Sequence, residues 1–297
     1  MRQRIFNKLY ERMAEREDIF LLTADMGINL VEPFEKAYPR RFRNVGIAEQ
    51  DLIGIGAGLC NAGFRPFLYT ISNFLIHRAF EQIRNDIVLH GYPVVLLGTS
   101  TGFDNAPLGP THHIIDDWGA LSALPGIDIY CPSGAAYADA VIDKVLGENR
   151  PAYVRIPKGA PEVPGGDKEA VLVEGVSPRI LIVTYGGLVP SCLQIQKQAS
   201  DVSVLILNRL RPLDDAMILD AVGGHEHIIS VEDHFPDSGL YAALCRLFVA
   251  RYVRRSLIGL GPRPEYNLHV GSSPGYYHRA YGFDAVGLQT TIERLRS

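Results

Sequence analysis

Short runs of β-branched and other apolar residues alternate with segments of helical spacing along the whole chain. Strands are predicted near residues 19–24, 66–71, 94–99, 127–131, 152–156, 180–184, 203–207, 228–231 and 257–260. Apolar residues have helical spacing over residues 75–90, 135–146, 189–198, 240–253 and 288–295. Alternation of this kind is typical of βα units that surround mostly parallel sheets.

One stretch interrupts the alternation and predicts a domain boundary. Between residues 156 and 179 the periodicity is weak and the charge is mixed, and prolines and glycines accumulate: Pro157, Gly159, Pro161, Pro164, Gly165, Gly166 and Pro178. Such composition is typical of a linker. We therefore predict an α/β protein with two doubly wound domains, 1–158 and 179–297, joined by a linker at 159–178.

Composition indicates a globular protein. The chain has 297 residues, of which 47% are hydrophobic and 21% charged, enough for one large or two medium cores. A net charge of -4 provides no basic face for nucleic acid. Residues 1–18 form a charged amphipathic pattern without an apolar signal core, and no apolar run approaches membrane-spanning length. We expect a cytoplasmic protein that binds neither nucleic acid nor membranes.

The cysteines and histidines do not predict a metal site. The four cysteines are far apart, form no CxxC motif and have apolar neighbours, so we expect reduced, buried thiols. His112 and His113 are adjacent, which suits binding of one metal ion by both poorly, and His225 and His227 have no carboxylate or thiolate ligand at motif spacing. We therefore assign no metal ligand to this chain.

The segment NVGIAEQ at residues 44–50 places Glu49 at a predicted strand-to-helix junction. The run from Gln50 to Ala62 is almost uncharged, and we expect it to be buried on most sides. A carboxylate at that edge is costly unless it is hydrogen-bonded or used in chemistry. In the alternative interpretation, Glu49 is a first-turn acid that stabilises the helix N-terminus.

GIAEQ, the preceding YPRRF at residues 38–42 and the later GPTH at residues 109–112 resemble the transketolase family of thiamine-diphosphate enzymes. The resemblance covers nearly the whole chain, and it implies a pyrimidine-binding domain followed by the transketolase C-terminal domain. In this family the matching glutamate hydrogen-bonds a ring nitrogen of the cofactor's aminopyrimidine. The resemblance thus implies thiamine diphosphate as cofactor, with Glu49 as its activator, while the cofactor carries the carbanion chemistry.

The resemblance implies two further cofactor residues, Phe74 and Asp25, and helical spacing adds His77 as a third candidate. Phe74 matches an aromatic residue that packs on the aminopyrimidine, although a lone Phe before a helix is also typical of a core. His77 lies one turn later and could share that helix face; alternatively, it is a partly exposed surface histidine. Asp25 follows the first predicted strand, at the sheet edge where such folds bind ligands, and matches a family acid near the cofactor.

Three residues are candidates for substrate binding. His112 matches a family histidine that faces the reacting carbon, and its titration range suits proton transfer. The family has Asp before this Gly-Pro-Thr-His, whereas Leu108 stands here, so we expect altered recognition of one hydroxyl unless Asp104 supplies the acid. Arg155 matches an arginine that grips a substrate phosphate; in the alternative it forms a salt bridge at an interface.

One family segment has no counterpart. Nothing in the chain matches the GDG-to-Asn segment that holds a metal ion at the cofactor's diphosphate, and GIGAG at residues 54–58 has neither dinucleotide nor P-loop context. We expect these glycines to allow close helix packing. The resemblance therefore implies an N-terminal transketolase-type partner subunit that holds the diphosphate and Mg²⁺ or Ca²⁺, and self-association into a dimer of heterodimers.

The resemblance predicts the C-terminal subunit of a split transketolase, active only with its partner. Such an enzyme transfers a two-carbon ketol unit from a ketose, phosphorylated in the typical case, to an aldehyde acceptor. Three alternatives remain: the beta subunit of a 2-oxo acid dehydrogenase, a deoxyxylulose-phosphate-synthase-like enzyme, and a catalytically idle partner subunit. NRLRPLD at residues 208–214 and VED at residues 231–233 resemble family segments and imply packing and dimer contacts.

Overall fold

The computed structural model describes residues 1–159 and 161–297. Their strands are β1 (Ile19–Thr23), β2 (Phe42–Asn44), β3 (Arg65–Ile71), β4 (Val95–Thr99), β5 (Asp128–Tyr130), β6 (Ala152–Ile156), β7 (Ala170–Val173), β8 (Ile180–Tyr185), β9 (Val202–Leu207), β10 (Arg209–Arg211), β11 (His227–Val231) and β12 (Ser256–Leu260). One sheet has seven strands in the order β10-β5-β6-β4-β3-β1-β2, and the other has five in the order β12-β11-β8-β9-β7.

Both sheets are mostly parallel, which confirms the predicted fold class. In the first sheet β10 alone runs antiparallel, against β5, and in the second β7 runs antiparallel against β9. Strands β4, β6, β8 and β9 are buried along their whole length, as expected for central strands covered on both faces. Because β10 belongs to the second half of the chain, the first sheet is built from both halves.

Helices pack around the two sheets. They are α1 (Arg2–Glu15), α2 (Glu32–Ala37), α3 (Glu49–Asn61), α4 (Phe80–Gln82), α5 (Asp117–Ser122), α6 (Ala135–Gly147), α7 (Val189–Gln198), α8 (Asp215–Gly223), α9 (Leu240–Ala250), α10 (Pro274–Tyr281) and α11 (Ala285–Arg296). The helix predicted at 75–90 is broken, because π-helical turns Phe74–Arg78 and Ile83–Val88 flank α4. None of the described helices has both the length and the apolar character needed to cross a membrane.

The domain limits stay a prediction, although two features bear on them. β7 lies inside the predicted linker at 159–178 and pairs with β9. Residue 160 of that linker lies outside the described residues. A single apolar core also runs between the two halves, with Trp118 and Leu121 in the same cluster as Leu240 and Leu247. The halves therefore pack as one unit around shared side chains.

We expected residues 50–62, which form most of helix α3, to be buried on most sides. This expectation is wrong for the single chain. Gly54, Ile55 and Gly58 are exposed, and Ile55 keeps 43% of its surface open. Of the three glycines in GIGAG, only Gly56 is closely packed, because a Cβ there would lie 2.8 Å from the Leu68 side chain. The glycines thus split into one position packed on the sheet and two positions on an open face.

The thiols also differ in part from expectation. All four cysteines are free, but only Cys131 and Cys192 are buried, whereas Cys60 and Cys245 are half-buried. Burial raises the pKa of both buried thiols, to about 12 for each. The two buried cysteines are therefore uncharged packing residues.

Candidate active site

Glu49 is the first residue of α3 and is almost completely buried. The chain leaves β2 at Asn44 and turns at Gly46, whose φ of 80° is a conformation that favours glycine. The Glu49 side chain is 2% exposed, and its Oε2 lies 2.6 Å from Arg78 Nη1. A charged partner therefore compensates the burial of this carboxylate.

Arg78 was not identified from the sequence, and it connects Glu49 to Phe74. The π-helical turn Phe74–Arg78 follows β3 and brings both side chains to one side. The Arg78 Cζ lies 4.6 Å from the centroid of the Phe74 ring. A usable signal was the spacing, because Arg78 is four residues after Phe74 and could share a helix face with it.

His112 lies next to Phe74. Its ring centroid is 5.1 Å from that of Phe74, with an interplanar angle of 73°. The histidine ends the 3₁₀ turn Pro110–His112, which begins after Gly109, and its Nδ1 is 3.0 Å from Thr111 Oγ1. Asn73 Nδ2 donates to the Thr111 carbonyl at 2.5 Å, which ties the loop after β3 to the loop after β4.

His77 pairs with Asp116 beside a small cavity. The His77 Nε2 is 2.8 Å from Asp116 Oδ1, and this hydrogen bond raises the pKa of His77. The cavity has a volume of about 280 Å³, and its lining residues are Asn73, His77, Pro110, His113, Ile115, Asp116 and Tyr266. Burial lowers the pKa of His113 in its wall. Because Tyr266 follows β12, both halves of the chain contribute to this cavity.

Asp25 follows β1, at the same sheet edge, as predicted from its position. It is exposed, has a φ of 48°, and its Oδ1 accepts a hydrogen bond from Asn44 Nδ2 at 3.3 Å. The Asn44 Oδ1 in turn accepts from the backbone N–H groups of Asp25 and Gly46 at 3.0 and 2.9 Å. Asp25 thus belongs to the turn that leads to Glu49, without a direct hydrogen bond to Glu49 among the described residues.

Leu108 and Asp104 lie on the loop between β4 and His112. Leu108 is 56% exposed and does not line the cavity beside His77. Asp104 Oδ2 accepts from the backbone N–H groups of Thr101 and Lys158 at 3.0 and 2.9 Å, and burial raises the pKa of its carboxyl. The Asp104 carboxylate therefore fastens this loop to the chain after β6.

Arg155 is enclosed by acceptors of the protein itself. Its side chain is 1% exposed, and its nitrogens donate to Asp117 Oδ2 at 2.9 Å, Asp233 Oδ1 at 2.9 Å and the Ile114 carbonyl at 3.1 Å. Every guanidinium nitrogen thus has a protein acceptor. The geometry favours an arginine in a salt bridge at an interface over one that grips a substrate phosphate.

The site has the elements needed to hold a flat, nitrogen-containing ring. A buried carboxylate and an aromatic ring both contact one guanidinium, and an imidazole lies next to the aromatic ring. In the described part of the chain, no group of three or more His, Cys, Asp or Glu side chains could hold a metal ion.

Fold and site define a two-domain α/β protein in which a seven-stranded, mostly parallel sheet carries the candidate site and a five-stranded sheet packs beside it. The chain belongs to the transketolase family. Residues 1–163 match the profile of the transketolase pyrimidine-binding domain, and residues 169–261 match that of the transketolase C-terminal domain. These matches confirm the resemblance carried by the sequence motifs.

Curated relatives include separate subunits as well as longer enzymes. An apulose-4-phosphate transketolase subunit of Actinobacillus succinogenes is 32% identical over 219 residues, covering 71% of this chain and 70% of the relative. The corresponding apulose-4-phosphate transketolase subunit of Phocaeicola vulgatus is 29% identical over 306 residues, covering 98% and 96%. A 1-deoxy-D-xylulose-5-phosphate synthase of Albidiferax ferrireducens is 28% identical over 278 residues, covering 90% of this chain but only 43% of the relative.

Two solved transketolase structures superimpose on nearly the whole of this chain. A split gene transketolase, described as an inactive beta4 tetramer, superimposes with a TM-score of 0.86 at 25% identity and covers 99% of this chain and 97% of that one. A transketolase from Pichia stipitis superimposes with a TM-score of 0.76 at 17% identity, covering 98% of this chain and 45% of that one. The second likeness shows the fold alone.

Proposed function

We propose that this chain is the C-terminal subunit of a thiamine-diphosphate-dependent transketolase. The enzyme transfers a two-carbon ketol unit from a ketose phosphate to an aldehyde. The observation that carries the proposal is the buried Glu49 carboxylate, linked through Arg78 to the Phe74 ring and so to His112. Similarity to two apulose-4-phosphate transketolase subunits, one over almost its full length, supports the assignment to a separate subunit.

The residues fit the aminopyrimidine end of thiamine diphosphate. When bound, this cofactor supplies the carbon nucleophile of ketol transfer. Glu49 would hold a proton at a ring nitrogen, since a buried carboxylate next to a basic nitrogen can share one. Phe74 would fix the plane of the ring by stacking. His112, on a loop at the carboxyl edge of the sheet, would move protons at the substrate, and His77 with Asp116 would border the cavity lined by Asn73 and Pro110.

The diphosphate and its metal ion, Mg²⁺ or Ca²⁺, would be held by an N-terminal partner subunit. Ile47, two residues before Glu49, is 75% exposed, and Ile55 on α3 is 43% exposed; exposed apolar side chains of this kind are suited to contact with another subunit. The beta4 tetramer of the similar split transketolase supports self-association of this subunit type.

The substrate is proposed from the same relatives. A phosphorylated ketose such as apulose 4-phosphate, named for both transketolase subunits, is the first donor to test. The second candidate function is that of a 1-deoxy-D-xylulose-5-phosphate synthase, favoured by similarity over 90% of this chain. The two candidates differ in donor, because a synthase of that name forms a deoxy sugar, whereas ketol transfer retains the hydroxyl.

Reconstitution tests the proposal directly. This chain, the N-terminal subunit and their mixture are titrated with thiamine diphosphate and magnesium in a calorimeter, and each is assayed for ketol transfer. Binding and activity should appear only in the mixture, because the ring site and the diphosphate site lie on different chains. Tight magnesium-dependent binding by this chain alone, or an inactive mixture that binds no cofactor, would contradict the proposal.

A further inference from the structure

Arg78 makes both contacts that the proposed function reserves for the cofactor's ring. Its Nη1 donates to Glu49 Oε2 at 2.6 Å, and its Cζ lies 4.6 Å from the Phe74 ring centroid. In the proposed function, Glu49 is the partner of a ring nitrogen and Phe74 is the surface on which the ring packs. One side chain therefore occupies both contact points in this structure.

The chemistry of a guanidinium explains how one side chain can do this. It is planar, carries N–H donors along its edge and stacks on aromatic faces. A protonated aminopyrimidine has the same three properties. We propose that Arg78 is a place-holder for the aminopyrimidine ring in the cofactor-free subunit, and that it leaves Glu49 and Phe74 when the cofactor binds. This inference rests on the proposed function and adds a conformational step to it.

Glu49 is buried and Arg78 is partly exposed, as expected if Arg78 is a place-holder that can leave the site. The Glu49 side chain is 2% exposed, whereas that of Arg78 is 45% exposed. A buried carboxylate without a partner is strongly unfavourable, so the cofactor-free subunit needs a cation at this point. The acid is thus fixed in the interior, and the cation has an open path to solvent.

The backbone at Arg78 is held independently of its side chain. Gln50 Nε2 donates to the Arg78 carbonyl at 3.2 Å, which links the start of α3 to the π-helical turn Phe74–Arg78. π-helical turns within helices occur frequently at functional sites. Rotation of the Arg78 side chain alone would therefore open the site, with Glu49 and Phe74 left in place.

A place-holder lowers the apparent affinity for the cofactor. A site that is closed nine tenths of the time binds about tenfold more weakly than the open site. Arg78→Met keeps the length of the side chain but removes the charge and the donors. Arg78→Lys keeps a cation for Glu49 but removes the planar group over Phe74. Both variants should open the ring site, and Arg78→Met more fully.

The test is cofactor binding by the complex with the N-terminal subunit. Thiamine diphosphate with magnesium is titrated by calorimetry, and its association is followed by stopped flow. The control is Arg84→Met, an exposed arginine in the next π-helical turn whose side chain contacts Asn85. We expect association to be several-fold to about tenfold faster and the affinity higher in Arg78→Met, a smaller gain in Arg78→Lys, and no change in the control.

The outcomes separate this inference from the proposed function. If the wild-type complex binds the cofactor and neither Arg78 variant binds it faster or more tightly, the place-holder is wrong and the proposed function stands. If no form of the complex binds the cofactor, both are wrong. A structure of the cofactor-bound complex in which Arg78 Nη1 remains within about 3 Å of Glu49 would likewise refute the place-holder.

A second measurement uses the cofactor-free subunit. Arg78→Met leaves Glu49 buried without its cation, so the midpoint of thermal unfolding should fall. Addition of Glu49→Gln to Arg78→Met should recover part of that loss, because the unpaired charge is then gone. Strictly additive effects of the two substitutions would show that Arg78 does not neutralise Glu49 in the free subunit, and would overturn the inference.

Discussion

Arg155 and Asp233 form an ion pair that joins the two halves of the chain. The Arg155 Nη1 lies 2.9 Å from Asp233 Oδ1, with Arg155 on β6 of the first sheet and Asp233 just after β11 of the second. Both side chains are largely buried, at 1% and 11% exposure. Asp117, on the first half, accepts from Arg155 Nε at 2.9 Å. One buried cation therefore lies between two carboxylates, one from each half.

Arg155→Met should destabilise the protein. Removal of the cation leaves Asp117 and Asp233 buried without it, with Asp117 keeping the hydrogen bond from the Tyr153 hydroxyl at 2.8 Å, and breaking a buried pair commonly costs about 3 to 5 kcal/mol. Urea unfolding of the free subunit measures the loss. The control is Arg179→Met, which breaks an exposed pair with Glu226 and should leave the midpoint nearly unchanged. A stable variant with a raised KM for phosphorylated substrates would instead support phosphate binding by Arg155.

Glu49→Gln should separate cofactor binding from cofactor activation. Glutamine keeps the shape of the side chain and a hydrogen bond, but it cannot share a proton with the ring nitrogen. Proton exchange at the reactive carbon of bound thiamine diphosphate should slow roughly a hundredfold or more. The exchange is followed by NMR in the reconstituted complex, with Asp51→Asn, an exposed acid in the same helix turn, as control. An exchange rate in Glu49→Gln equal to that of the wild type would instead favour the alternative in which Glu49 only stabilises the N-terminus of α3.

The His77 and Asp116 pair should make stability depend on pH. The hydrogen bond to Asp116 raises the pKa of folded His77 above its usual 6.5. The pair's contribution to the free energy of unfolding is therefore complete below pH 6.5, where unfolded His77 is also protonated. It is lost as the pH rises through the raised pKa of folded His77. For a partly exposed pair it should not exceed about 1 kcal/mol. Unfolding of wild type and His77→Gln at about pH 6 and about pH 9 measures it; an equal difference at both pH values would contradict the assignment.

The sequence predicted the long, buried strands, the short β5 and a short strand ahead of Glu49, but it did not predict β7 and β10. Runs such as residues 94–99 and 203–207 are rich in apolar residues, which is typical of central parallel strands. β10 has three residues and β7 has four, too few for a recognisable period. β5 is as short as β10 but lies in an apolar run, and the strand expected before Glu49 is β2, which ends at Asn44. The pairing of β10 with β5 also depends on how the two halves pack, which no local pattern contains.

The sequence motifs predicted three residues of the candidate site, but they did not predict the ion pair between Glu49 and Arg78. Glu49, Phe74 and His112 came from separate motifs, and the structure brings them to one sheet edge. Arg78 was missed because its partner Glu49 is 29 positions away, and ion pairs between elements have no sequence period. The open face of α3 was missed for a different reason: an uncharged, glycine-rich helix indicates contact without indicating whether the contact lies within one chain.

Leu108→Asp should shift substrate preference toward ordinary ketose phosphates. The motif resemblance aligns Leu108 with an Asp that binds a substrate hydroxyl in the family. Leu108 is 56% exposed on the loop that leads to His112, so an aspartate there can be accommodated without burying a charge. A gained hydrogen bond to a substrate hydroxyl changes discrimination by about 1 to 3 kcal/mol. The measurement is the ratio of kcat/KM for a hydroxylated sugar phosphate and its deoxy counterpart, in wild-type and variant complexes. An unchanged ratio with both complexes active would show that Leu108 does not face the substrate and that Asp104 or a residue of the partner subunit binds this hydroxyl.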